Sequence, residues 1–125
     1  MCLKLKWWNR KRIATKDIVV YKVVVGSYSN PDFLQTPYQR NCVSIGKTYS
    51  ISKIIKYNQS IYEGFHSFER EKDARELADE FVASKIVICI IPKGSIYYKG
   101  RVWRYKSIDP IGYASDSIKY VKIII

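Results

Sequence analysis

The spacing of apolar and polar positions changes character along the chain. From Asp17 to Val25 (DIVVYKVVV) β-branched residues run almost unbroken and stop at Gly26. That composition predicts a strand buried on both faces for part of its length. Ser27 to Arg40 is dominated by Ser, Asn, Pro, Asp and Gln, with Pro31 and Pro37 opposing regular pairing. It reads as the longest loop, and loops of about 12–15 residues are usually functional or mobile. Short strands are expected at Cys42–Ile45 and Thr48–Ser52, either side of a turn at Gly46, and another extended piece at Ile61–Phe68. The period then shifts. In Glu69–Ser84, Ala74, Leu77, Ala78, Phe81 and Val82 fall at i, i+3, i+4, i+7 and i+8, a single helical stripe. Ser67 is its expected N-cap, with Glu69 and Glu71 in a first turn where the helix dipole favours anions. Glu71–Arg75 and Arg75–Asp79 have ion-pair spacing. One apolar stripe on a lone helix is ordinarily consumed by its own sheet rather than offered to a partner.

Lys85–Ile91 reads as a buried strand broken at Pro92-Lys93-Gly94. Ser95–Lys99 and Arg101–Lys106 follow, joined at Gly100, and Asp109-Pro110-Ile111-Gly112 reads as a turn. Ser117–Ile125 closes the chain as a strand, because an apolar terminus frays unless it is paired. The expected class is α+β, with a mainly antiparallel sheet of about six or seven strands and one principal amphipathic helix over 69–84. Residues 1–16 stand apart as a basic, aromatic N-terminal segment, and 17–125 read as a single α+β domain. A length of 125 residues fits one domain. It also supplies enough burial to dispense with a disulfide or metal staple. No apolar run approaches the roughly 20 residues of a membrane span, and no apolar leader core follows Met1. The expectation is a soluble protein of the cytoplasm.

Charge alters this picture by its distribution. The net charge of +11 comes from 22 basic and 11 acidic residues. Residues 61–84 hold seven of the acids against three bases, so the basic excess belongs to the rest of the chain. Such a field concentrates phosphates and other anions.

Candidate chemistry is sparse. Cys2, Cys42 and Cys89 are widely spaced and His66 is the one histidine, so no Cys/His metal cage can be assembled, and neither metal nor cofactor is expected. Gly46-Lys47-Thr48 carries the end of a P-loop, but position 41 is Asn where that motif needs Gly. Neither a nucleophile elbow nor a dinucleotide fingerprint occurs. No catalytic constellation emerges, so a non-enzymatic protein is expected. His66 could act as a general base, or a neutral imidazole could simply hold the turn between Phe65 and Phe68.

The richest stretch is Tyr97 to Lys106. If 101–106 is extended, Arg101, Trp103 and Tyr105 share one face and Arg104 and Lys106 the other. Cations between aromatic rings suit a phosphate with a base stacked beside it. The same residues could equally be a hairpin with its aromatics packed on the sheet. Tyr98 belongs to this group. Tyr38 and Arg40 in the long loop could add a phosphate contact, and Ser115 and Asp116 could read a ribose or base edge. In the N-terminal segment Lys4, Lys6, Arg10, Lys11 and Arg12 surround Trp7 and Trp8, which fits a polynucleotide partner instead.

Two stretches carry a resemblance: Glu63-Gly64-Phe65-His66-Ser67-Phe68 with Asp73-Ala74, and Ile91 to Gly100 with Tyr113-Ala114-Ser115-Asp116. With Met1-Cys2-Leu3 and Asp17 to Lys22, they resemble a family of small uncharacterised proteins of phages and mobile elements of gut bacteria. A more distant similarity is to compact ADP-ribosyltransferase-like folds, which open on a Tyr-Arg strand and need a later catalytic Glu. Here Tyr21 precedes Lys22 and the closing strand holds no acid, so the similarity implies at most a degenerate enzyme. The phage family brings no established activity, but small phage proteins of this size include many compact oligomers that sequester nucleotide immune signals. The expectation is therefore a homo-oligomeric counter-defence sponge, with the residues read above, Tyr38, Arg40, His66, Tyr98, Arg101, Trp103, Arg104, Tyr105, Ser115 and Asp116, as its ligand-binding set.

Overall fold

The computed structural model describes residues 3–5, 10–26, 33–37, 41–58, 60–102 and 110–124. Long β-branched runs form the centre of the sheet: β3 (Ile18–Val25) and β10 (Ser84–Ile91) pair along their whole length. Shorter strands extend it. These are β1 (Leu3–Lys4), β2 (Arg12–Ile13), β4 (Leu34–Gln35), β5 (Cys42–Val43), β6 (Thr48–Ser50), β7 (Ile55–Tyr57), β8 (Ser60–Glu63) and β9 (Phe65–Phe68). Beyond α1 (Glu71–Ala78), the one helix among the described residues, come β11 (Ile96–Val102), β12 (Ile111–Ser115) and β13 (Ser117–Ile123). The main path runs β6-β13-β10-β3-β9-β12-β11-β1-β8-β7, with β2 on β11 and the β4–β5 pair on β3. Every pairing among the described residues is antiparallel.

The α+β class with one helix stands, but the sheet has 13 strands among the described residues rather than six or seven. Apart from the five-residue β12, the additional strands are pieces of two to four residues, too short for alternation to register. Leu34–Gln35 is one, inside the stretch read as a loop. Gly64 divides the expected Ile61–Phe68 strand into β8 and β9.

Two further corrections concern glycines. Gly100 does not turn the chain but lies inside β11, directly opposite Gly112 of β12, and Ile111–Gly112 is strand rather than turn. A Cβ on Gly100 would run into the Lys4 carbonyl, and one on Gly112 into Val102 and the Ser67 carbonyl. The glycines serve close approach of backbone, not reversal. By contrast, Gly46 (φ 88°) and Gly94 (φ 90°) do turn the chain.

The helix is shorter than expected. It starts after Arg70, which makes no side-chain cap; Ser67 is buried in β9, three residues before that cap position. At the far end the Ser84 hydroxyl donates to the Ala78 carbonyl at 2.7 Å, satisfying one of the last-turn acceptors. Ala83 adopts φ 58°, and the chain reverses into β10. The Arg75 guanidinium does pair with Glu71 at 3.0 Å. Ala74, Leu77 and Ala78 are buried with Val23, Phe68 and Ile86, so the helix covers one face of the sheet centre. Alternation along β3 sends Val20 and Val24 to the opposite face, where they join Val87, Cys89, Ile118 and Tyr120. Leu34 of β4 and Val43 of β5 complete that second cluster.

The N-terminal stretch is built into the sheet. Leu3 and Leu5 are buried, β1 lies between β11 and β8, and Ala14 is buried near the β10–β11 turn, where its amide donates to the Ser95 carbonyl. No helix among the described residues is long and apolar enough to cross a membrane.

Candidate functional site

One edge of β3 changes neighbours along its length. Tyr21 pairs with Phe68 of β9, Val25 pairs with Gln35 of β4, and Lys22 to Val24 lie between the two. At this fork the sheet splays, and a cleft of about 520 Å³ opens beside it. That volume lies in the range of small-molecule sites, roughly 300–1,000 Å³. Phe65, Phe68, Tyr49 and Tyr120 contribute aromatic wall, and Lys22, His66 and Glu63 contribute the ionisable groups. Tyr49 and Tyr120 meet edge to face at 5.6 Å, and the Tyr49 hydroxyl accepts the Ser44 amide at 2.8 Å, so this side of the wall is braced.

Lys22 is the unusual member. It is only 9% exposed, and its ammonium donates to the His66 carbonyl at 2.6 Å. No carboxylate pairs with it among the described residues; Glu63, the one acid in the lining, is exposed and makes no ion pair with it. Burial lowers its pKa to about 8, an effect slightly opposed by the Cys89 thiol. It therefore remains largely cationic at neutral pH. Cys89 is fully buried behind it, and burial pushes its thiol up to about 12.

His66 is half-buried. Its Nδ1 lies 3.0 Å from the Gly64 carbonyl, which can only accept, so Nδ1 carries the proton in the neutral ring. Its Nε2 is buried with no hydrogen-bond partner among the described residues. Burial first, then the Lys22 charge, lowers its pKa to about 4, against the pull of the Gly64 and Ile61 carbonyls. It is a neutral imidazole across the physiological range. His66 stands inside β9 rather than in a turn; its Gly64 contact lies at the break between β8 and β9, and the ring also lines the cleft.

Of the other expected ligand residues, the four that are described, Tyr98, Arg101, Ser115 and Asp116, do not line the cleft. Tyr98 packs on the helix-side core with the Lys56 ammonium 5.7 Å from its ring centre, while Arg101, an odd number of positions along β11, is exposed on the other face. The Ser115 hydroxyl donates to the Ser117 carbonyl at 2.9 Å, and Asp116 Oδ1 accepts the Ile96 amide at 3.0 Å. Both side chains fasten the β12–β13 corner. Lys4 is exposed opposite Arg101, and Arg10, Lys11 and Arg12 are exposed. Tyr38, Arg40, Trp103, Arg104, Tyr105, Lys6, Trp7 and Trp8 lie outside the described residues. Among the described residues no cluster of His, Cys, Asp and Glu is placed to hold a metal ion.

Lys22 was not singled out from the sequence, although a signal exists. It is a lone cation inside IVVYKVVV, a run whose composition already demands burial. No protein-family model, curated protein or solved structure matches the chain.

Proposed function

We propose that the chain is a non-enzymatic binding protein for a small anionic ligand of nucleotide type, held in the cleft with its phosphate at Lys22. One observation carries this reading: a buried ammonium with no carboxylate partner among the described residues. Buried charges are costly unless paired, and a buried lysine is retained at that cost where something outside the fold completes the pair. A phosphate supplies both the opposite charge and the acceptors that the ammonium lacks. The aromatic wall of Phe65, Phe68 and Tyr49 suits the planar body of a base.

Within this reading, the resemblance to phage proteins makes a nucleotide signal of bacterial immunity the ligand of choice. The chain then works as a sponge in the host cytoplasm, as a homo-oligomer. The test is calorimetric titration of the purified protein with a panel of linear and cyclic nucleotides, alongside Lys22→Met. Binding by the parent and its loss in the variant support the proposal. No heat with any nucleotide overturns it.

A further inference from the structure

Strands β2 and β3 form two arms of one bent ribbon edge, and β11 and β10 form the two arms opposite. β2 pairs with β11 and β3 with β10, and the two chain segments turn a shared corner at residues 14–17 and 92–95. Backbone bonds fasten that corner. The Ala14 amide donates to the Ser95 carbonyl and the Gly94 amide to the Ala14 carbonyl, both at 2.8 Å. The Lys93 amide donates to the Asp17 carboxylate at 2.9 Å. Ala14, Ile18, Ile91 and Tyr97 come from both arms yet join one core cluster, so the ribbon bends toward that side.

The outer, convex side of the corner is apolar. Ile13 lies opposite Ile96 in one arm, and Val19 opposite Ile90 in the other. Strand alternation turns these four away from the cluster that holds Ile18, Ile91 and Tyr97. Ile13 is 65% exposed and Val19 53%, so two branched aliphatic side chains stand in water on one face. Cations surround them. Lys119 of β13 is directly opposite Ile90 and exposed, Lys16 and Lys93 are exposed at the corner itself, and Arg10, Lys11 and Arg12 are exposed just before Ile13. Among the described residues none of these six makes an ion pair. The neighbouring acids are already engaged, since Asp17 accepts the Lys93 amide and Asp116 the Ile96 amide.

We propose that this corner docks on an anionic lipid bilayer, with Ile13 and Val19 entering the headgroup layer and the surrounding lysines and arginines meeting lipid phosphates. An exposed apolar patch with a cationic rim matches the two signals that hold a protein at such a surface. Charge complementarity also decides against a second copy, because identical corners would set cation against cation. Nucleic acid would answer the charges alone, whereas a bilayer also buries the aliphatic side chains. The surface is independent of the cleft, none of whose lining residues belongs to it.

Co-sedimentation of the full chain with vesicles is the experiment. It compares phosphatidylcholine alone with phosphatidylcholine containing about one-third phosphatidylserine. The chain should pellet with the anionic vesicles and not with the neutral ones, and high salt should release it. Lys16→Gln and Lys93→Gln should each weaken vesicle binding about fivefold. Ile13→Thr combined with Val19→Thr should weaken it about tenfold and leave retention of a heparin fragment unchanged. Threonine suits exposed strand positions, and circular dichroism checks that the double variant keeps the fold. Lys22→Met should pellet as the parent does, which separates this result from the fate of the cleft. Failure to pellet with anionic vesicles, or equal pelleting with neutral ones, overturns the proposal. Equal loss of heparin and vesicle binding in the threonine variant also overturns it, as does a dimer in solution that this variant dissolves.

Discussion

The ammonium of Lys22 reaches across the fork of the sheet to the main-chain carbonyl of His66, 2.6 Å away. A backbone oxygen is a modest partner for a buried cation, and it leaves both residues primed to respond to protons and ligands. The first predictions follow from this pair.

Lys22→Met should stabilise the protein while weakening ligand binding in the cleft. The variant replaces an ammonium that is costly to bury with an apolar side chain of similar length. Removing a hydrogen bond to a charged group should cost the ligand roughly ten- to a hundredfold in affinity. Thermal denaturation and calorimetry on the same sample check both halves; a destabilised variant would show that Lys22 is structural.

The parent should show opposite pH trends in stability and affinity. Lys22 has a folded pKa of about 8, below its usual 10.5, so between these values the unfolded chain binds the proton more firmly. Stability gains from this group as pH rises above 8. Anion affinity falls over the same interval, by up to tenfold per unit, as the ammonium is lost. Lys22→Met should show neither trend.

Acid should act through His66. Its folded pKa of about 4 lies below the usual 6.5, so the unfolded chain takes up the proton first. Stability should fall as pH drops from 6.5 to 4, by up to about 3 kcal/mol from this residue. Chemical denaturation of the parent and His66→Gln at pH 7 and pH 4.5 isolates that share. An equal loss in both proteins would assign the acid sensitivity to the carboxylates.

The thiols should separate cleanly. Cys89 is fully buried with its pKa near 12, whereas Cys42 is exposed and lines the cleft. Brief alkylation at pH 8 with peptide mapping should modify Cys42 and spare Cys89 until the protein unfolds. A ligand seated in the cleft should slow the reaction at Cys42.

Gly100→Ala and Gly112→Ala should each destabilise the fold by about 1–3 kcal/mol, because the new methyl meets main-chain oxygen on a neighbouring strand. Gly46→Ala, with open space around its Cβ position, should cost only the strain of its positive φ. Denaturant midpoints for the three variants give the comparison.

What the sequence makes legible divides by length of pattern. The runs at 17–25, 85–91 and 117–125 are long enough for composition to identify them, and each is a strand. Two-residue pairings such as Leu34–Gln35 depend on partners distant in the chain, so no local pattern marks them. Gly100 was misleading because glycine signals both reversal and close approach, and only the neighbouring Lys4 carbonyl decides between them. Ser67 has the chemistry of a cap, but pairing of β9 with β12 retains it in the sheet. At the site, His66 was found by its rarity. Lys22 was hidden in an apolar run, and its meaning depends on the fork between β9 and β4, a tertiary feature.

The place of β1 also bears on how the chain reaches this structure. Its two neighbours are β8 and β11, the second formed by residues near 100, so the sheet on that side of Leu3 and Leu5 is completed only after most of the chain is made. During synthesis at roughly 5–20 residues per second, Leu3 and Leu5 stay unburied for several seconds. Closing the sheet there is a late, long-range event, and late closure of this kind slows folding and leaves unpaired edges open to association. A tag or truncation at the N-terminus should therefore act on folding yield more than on the chemistry of the cleft.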